Sequence, residues 1–284
     1  MRFLAMAAVL CFAGAAWAQP ADDTMARQEA LLAEARAALA ENPGDADAMI
    51  WAGRRLGYLG RYEEAMAEFR AGWARFPEDA RFARHLGHRL ITVRRFAEAE
   101  DVLQAAADLM AALPDQVEPD GMPNEAGIPT STLKGNIFYH LALAHYLQGN
   151  FAQAAAVWAE SAAVAANVDS AAASRYWLYL SRMRAGDETG AARALAPVSA
   201  DWALIENGDY HRLALCFKGE GDCAALEKEA MESEGVAAGT LLYGLGAKAL
   251  IDGDKKHAKT IFARILENAA PTSFGYIAAK AEAQ

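Results

Sequence analysis

The chain has 284 residues, 54% of them apolar, and a formal net charge of −10 from 37 Asp and Glu against 27 Lys and Arg. That acidic balance argues against nucleic acid as the partner, because phosphate contacts need an excess of Lys and Arg. Beyond the first 18 residues no stretch reaches about 18 uninterrupted apolar residues, so no integral membrane span is expected.

The chain opens with a single cation, Arg2, then an apolar run from Phe3 to Trp17 and the small-x-small sequence Ala16-Trp17-Ala18 before Gln19. This is the pattern of a secretory signal peptide over 1–18, too short and wrongly flanked for a retained span. Cys11 follows Leu10, a residue too large for a typical lipoprotein attachment site. No Asn-x-Ser/Thr sequon occurs, so the expected compartment is a bacterial periplasm, with the mature chain starting near Gln19.

Residues 19–45 predict a lone capping helix. From there the chain superposes on itself at an offset of 34 residues: Pro43 falls on Pro77, Gly53 on Gly87, Leu56 on Leu90, Tyr62 on Phe96, Ala65 on Ala99 and Phe69 on Leu103. In each unit a small residue (Gly53, Gly87, Ala142, Gly246) stands where a neighbouring helix must come close, and a second one (Ala65, Ala99, Ala154, Ala258) does the same on the partner helix. A large apolar residue four positions later (Phe69, Leu103, Trp158, Phe262) fills the space between them. Glycines with a following polar residue, as at Gly60-Arg61, Gly149-Asn150 and Gly253-Asp254, end one helix and help start the next.

This period, with Leu/Ala-Gly-x2-Leu, then Ala-x3-Phe, then Pro, resembles the tetratricopeptide repeat. The resemblance implies an all-α solenoid of stacked helix-turn-helix units forming a right-handed superhelix. Two units are expected over 46–113, an insertion over 114–134, two further units over 135–205, a degenerate helical unit over 206–238, and a last unit with its capping helix over 239–284. The segments LIENGDYHRLALCFKGE and YGLGAKALIDGDKKHAKTIFARIL also resemble a group of exported bacterial repeat proteins, which supports the fold and the compartment.

The insertion breaks the period. Residues 114–131 hold four of the nine prolines (Pro114, Pro119, Pro123, Pro129) and cannot be helical throughout. They also carry Asp115, Glu118, Asp120 and Glu125 with no cation, directly after residues 51–100, where ten Arg outweigh seven Asp and Glu. Sign and position allow a tethered lid that crosses the groove and competes with an acidic ligand; an idle surface loop is the other reading. Further on, Cys216 and Cys223 flank Gly219 and Gly221, and in an oxidising compartment this pair predicts a disulfide.

In the family resembled, the first helix of each unit lines the concave face. The resemblance therefore places Arg54, Tyr58, Arg81, Arg84, His88, Asn136, Tyr139 and Tyr146 along one groove. Arginines interleaved with tyrosines suit a carboxylate-bearing extended peptide, because guanidinium binds a carboxylate bidentately and Tyr offers apolar area with a polar tip. Some family members clamp a C-terminal carboxylate with Lys and Asn side chains; only Asn136 is reminiscent of that, so the ligand does not carry over. A solvated charged helix face is the alternative.

No G-x-S-x-G, H-E-x-x-H, C-x-x-C or G-x4-G-K-[ST] motif occurs. Gly244 to Ala249 matches a dinucleotide fingerprint only in a helical context, and the pairs His85/His88 and His140/His145 lack a third ligand at helical spacing. Tyr176, Trp177 and Tyr179 are expected to pack between helices. The expectation is a non-enzymatic adaptor without cofactor or metal that grips a protein or peptide. Its rival is a structural envelope component that works through its convex face or as a homo-oligomer.

Overall fold

The computed structural model describes residues 19–283, with side chains from Asp23 onward; the expected signal peptide lies outside the described residues. A first helix, α1 (Gln19–Glu41), is followed by the helix pairs α2 (Ala46–Tyr58) with α3 (Tyr62–Arg75), α4 (Ala80–Thr92) with α5 (Phe96–Met110), and α6 (Leu133–Leu147) with α7 (Phe151–Ala163). Then come α8 (Val168–Arg184) with α9 (Glu188–Leu195), α10 (Gly208–Lys218) with α11 (Cys223–Glu232), α12 (Gly235–Ile251) with α13 (Lys255–Asn268), and a last helix α14 (Phe274–Glu282). Among the described residues there is no strand, only the isolated bridges Val117–Thr132 and Gly235–Ala269. The fold is an all-α solenoid of helical repeats.

Local sequence sets where these helices start. Asp45, Asp79, Thr132, Asn167, Asp187, Asp222, Asp254 and Ser273 each accept a first-turn backbone N–H through the side chain, filling donors that have no intrahelical partner. Each such cap is worth about 1 kcal/mol.

Three of the helix pairs, α2 with α3, α4 with α5 and α12 with α13, share one repeated contact. A Cβ added at Gly53 would lie 2.4 Å from the Phe69 ring, one at Gly87 2.3 Å from Leu103, and one at Gly246 2.5 Å from the Phe262 ring. Each large side chain thus fills the place a methyl group would need, and backbone and ring are packed to contact. Phe69, Leu103, Trp158, Leu86 and Leu90 are fully or almost fully buried in the core this creates.

The first helices of successive pairs, α2, α4, α6 and α8, pack on one another and form the inner row. After α8 the path tightens: α10 packs on α8, α12 packs on both α10 and α8, and α14 packs on α12 and α13 while reaching α6. Three bonds close this curl. Arg94 Nη2 donates to the Pro271 carbonyl at 2.7 Å, Arg184 pairs with Glu282 at 2.5 Å, and Tyr243 donates to the Tyr146 hydroxyl at 2.8 Å. The inner face is therefore a narrowed basin with α14 against one wall. The expected disulfide is present: Cys216 and Cys223, with Cα atoms 5.1 Å apart, join the end of α10 to the start of α11.

Candidate functional site

The basin holds a cavity of about 300 Å³. α4 contributes Arg84 and His88 to its wall, α6 Asn136, Tyr139 and His140, α8 Ser170 and Ser174, α10 Tyr210, and α14 Phe274. The loop after α9 adds Glu206. That loop is fixed by the buried Asp169, whose carboxylate accepts the backbone N–H groups of Ile205 at 3.0 Å, Glu206 at 2.7 Å and Asn207 at 2.9 Å. Glu206 in turn accepts the Thr130 hydroxyl, and Asn167 Nδ2 donates to the Thr130 carbonyl at 2.8 Å.

The His88 and His140 rings lie 4.4 Å apart, and Phe274 stands within 6 Å of both. His140 Nδ1 donates to the Asn136 carbonyl at 2.6 Å, while Arg89 Nη2 donates to His88 Nε2 at 2.7 Å. Burial, and next the Arg84 guanidinium, push His140 down to about 3; burial, and next Arg89, hold His88 well below the usual histidine range. Both imidazoles are neutral at ordinary pH. Tyr139 is locked between two partners, 3.1 Å from the Tyr210 hydroxyl and accepting Trp177 Nε1–H at 3.1 Å.

Across this basin runs the Pro-rich segment 114–131, a strap. Its ends meet at the Val117–Thr132 bridge, where Glu118 N donates to the Ser131 carbonyl at 3.0 Å and Leu133 N to the Gln116 carbonyl at 2.9 Å. Glu118 is buried: one carboxylate oxygen lies 2.9 Å from Arg84 Nε and accepts Asn136 Nδ2–H at 3.1 Å, and the other lies 3.6 Å from His85 Nε2. The Arg84 guanidinium also donates to His85 Nδ1 at 2.9 Å, which leaves the His85 proton on Nε2, facing Glu118. Farther along, Arg55 donates to the Gly121 carbonyl at 2.8 Å, and a Cβ at Gly121 would lie 2.1 Å from the Tyr58 hydroxyl, so a larger residue there would require the Tyr58 ring to shift. Asp120 lines the cavity, its carboxyl raised by burial and next by Glu206.

The residues the resemblance set along one groove occupy several environments. Arg84, His88, Asn136 and Tyr139 converge on the cavity. Arg54 and Tyr58 line an adjoining recess, with Arg54 donating to the Tyr58 hydroxyl at 3.3 Å and lying over the Trp51 ring at 4.3 Å. Arg81 is bound by Asp79 and Asp47, each at 2.6 Å. Tyr146 is in the core, edge-on to Trp177 and bonded to Tyr243. The groove expected from the sequence did not include several residues that shape the cavity, among them His140, Glu206, Tyr210 and Phe274. His140 carried a signal, sitting one helical turn after Asn136; Phe274 carried none, because only the closure of the curl brings it to His88. Tyr176 and Trp177 are fully buried, Gly244–Ala249 is helical, and no group of three metal-binding side chains occurs among the described residues.

Compared with family models and with curated proteins, the sequence matches none. Among solved structures the chain is similar to YrrB, described as a TPR protein with an unusual peptide-binding site, with a TM-score of 0.47, 15% identity, and 88% of this chain and 98% of that one covered. It is also similar to a chain of the Naa15/Naa10 complex bound to HypK-THB, with a TM-score of 0.41, 18% identity, and 86% of this chain against 36% of that one covered.

Proposed function

We propose that this protein is a non-enzymatic binding scaffold, exported to the periplasm, that holds an acidic or carboxylate-bearing segment of an envelope protein against its inner face. The observation that carries the reading is Glu118: an extended acidic stretch already lies on that face with its carboxylate on Arg84 and Asn136. The surface thus has the donors, the shape and the sign for such a segment. The adjoining cavity of about 300 Å³, walled by Tyr139, Tyr210 and Phe274, offers room for an inserted side chain or chain end. Binding fits the cavity better than chemistry does, because its imidazoles are neutral, lie against aromatic rings and bond to a carbonyl and a guanidinium. The leader pattern over 1–18 and the Cys216–Cys223 disulfide support an oxidising compartment.

A photo-crosslinking residue at Ala165, on the cavity wall, should capture a discrete partner in the periplasm, while one at Gln104, exposed on α5, should capture none. Equal labelling from both positions, or none from Ala165, would refute the reading. A second reading, assembly through self-association, draws on the exposed Leu113, Val117, Met122 and Ile128. Sedimentation showing a mass that rises with concentration would favour it.

A further inference from the structure

We propose that the strap 114–131 is a displaceable occupant of the inner face: Glu118 fills a carboxylate seat formed by Arg84, His85 and Asn136, and an acidic extended segment of a partner binds by taking that seat. The inference rests on the binding reading above and adds what stands in the partner's way.

The way the strap is held carries the first half of the argument. Its buried residues are Glu118, Gly121 and Thr130, none of which has a large apolar side chain. Val117, Met122 and Ile128 are instead 62%, 56% and 53% exposed. No strap residue belongs to the apolar core, which passes from Met110 directly to Leu133. The non-directional burial that fixes the helices is therefore missing here. What remains is polar: Glu118 on Arg84 and Asn136, the Gly121 carbonyl on Arg55, and Thr130 on Glu206 and Asn167. An equivalent set of bonds from another chain replaces these at small net cost, because exchange of one hydrogen bond for another is nearly neutral.

The seat itself carries the second half. Arg84 is buried, so its charge cannot be left alone; removing one partner of a buried ion pair is strongly unfavourable. The strap consequently stays in place until another carboxylate arrives, and displacement rather than spontaneous opening is the route. Selectivity follows from the donors. The Arg84 guanidinium lies 2.9 Å from the Glu118 carboxylate as a buried opposite charge, Asn136 Nδ2–H donates to the same oxygen, and His85 Nε2 lies 3.6 Å from the other, surroundings that reject an amine and bind a neutral amide weakly. Tyr58 abuts Gly121, so a segment that follows the strap's path is favoured by a small residue three positions after its acid, or displaces the Tyr58 ring.

The strap's own chemistry supplies the probe. A fluorescent peptide with the sequence of residues 114–124 is titrated, by anisotropy, into the full chain, into Glu118→Gln, and into a chain with a protease site at the exposed Glu125–Gly127 turn, before and after cutting. Glu118→Gln and the cut chain should bind the peptide at least tenfold more tightly than the intact protein. The same peptide carrying E118Q should lose at least tenfold on both. Should Glu118→Gln fail to fold, the cut chain decides, since it keeps Glu118 and every side chain of the seat. Equal affinity before and after cutting, or a Gln peptide as tight as the Glu peptide, overturns the inference. The binding reading is judged separately: a partner captured at Ala165 equally by the intact and cut chains leaves that reading standing and removes the strap's role.

Discussion

His88 and His140 face each other on the cavity wall with Arg84 and Arg89 beside them, and neither ring is protonated in the folded protein. In the unfolded chain both titrate near 6.5. Both folded-state values lie lower, so below about 6.5 the unfolded state binds more protons and stability rises with pH, for His140 over the range from about 3 to 6.5 and for His88 in the same direction. Their neutral burial is accordingly harmless above pH 6.5 and costs stability as pH falls below it. Each histidine contributes at most about 1.4 kcal/mol per pH unit. Carboxylates also weaken the fold in acid, so the comparison that isolates the effect is a variant. Denaturant midpoints measured from pH 7 to 4 should fall less steeply for His140→Gln than for the natural chain. Parallel slopes would show that the imidazole does not carry the dependence.

Within a helix pair, the small-to-large contact recurs with the same spacing at Gly53 and Phe69, Gly87 and Leu103, and Gly246 and Phe262. Because the atom nearest a Cβ at Gly87 is the Leu103 branch carbon rather than a mobile tip, Gly87→Ala should overpack the pair and destabilise by about 1–3 kcal/mol. Leu103→Ala should cost about 2–5 kcal/mol by opening a cavity. Combining them puts the new methyl into that space, so the double variant should lose less than the sum, read from urea unfolding. Additive losses would separate the two sites. The α10–α11 turn is stiffened covalently instead. Unreduced, denatured mature chain should show no free thiol, and Cys216→Ser with Cys223→Ser should lower stability by about 2–3 kcal/mol if the cross-link acts on the unfolded chain.

Over the whole molecule, one of the three bonds that close the curl comes from an irregular turn. Gly60 has φ 74°, in the left-handed region, and one 34-residue period later Arg94 adopts φ 65° where a non-glycine residue is disfavoured by about 1–2 kcal/mol. The arginine has a use there: its guanidinium reaches the Pro271 carbonyl just before α14, joining the second helix pair to the last. Arg94→Gly should relax the turn and lose the tie. Global stability should then change by less than about 1 kcal/mol, the two effects opposing each other, while backbone amides of α14 exchange faster with solvent. Unchanged exchange in α14 would mean that its packing on α12 and α13 suffices.

The all-α solenoid was legible in the sequence because its determinants are local and periodic. Gly53 with Phe69, the Asp45 and Asp79 caps and the turn glycines all act within one helix pair, so the offset of 34 residues exposes them. The Cys216–Cys223 pairing was legible for the same reason, both residues flanking one turn. The acidity of the strap after an Arg-rich stretch could also be read, but not that Glu118, among four acids, is the one seated on Arg84. That selection depends on the Val117–Thr132 bridge, which sets the register of the strap. The meeting of His88, His140, Tyr210 and Phe274 was decided only by the tertiary structure, because these side chains converge through the tightening of the path after α8. Long-range closure of that kind sums many small packing preferences between helices, and no spacing in the chain records it.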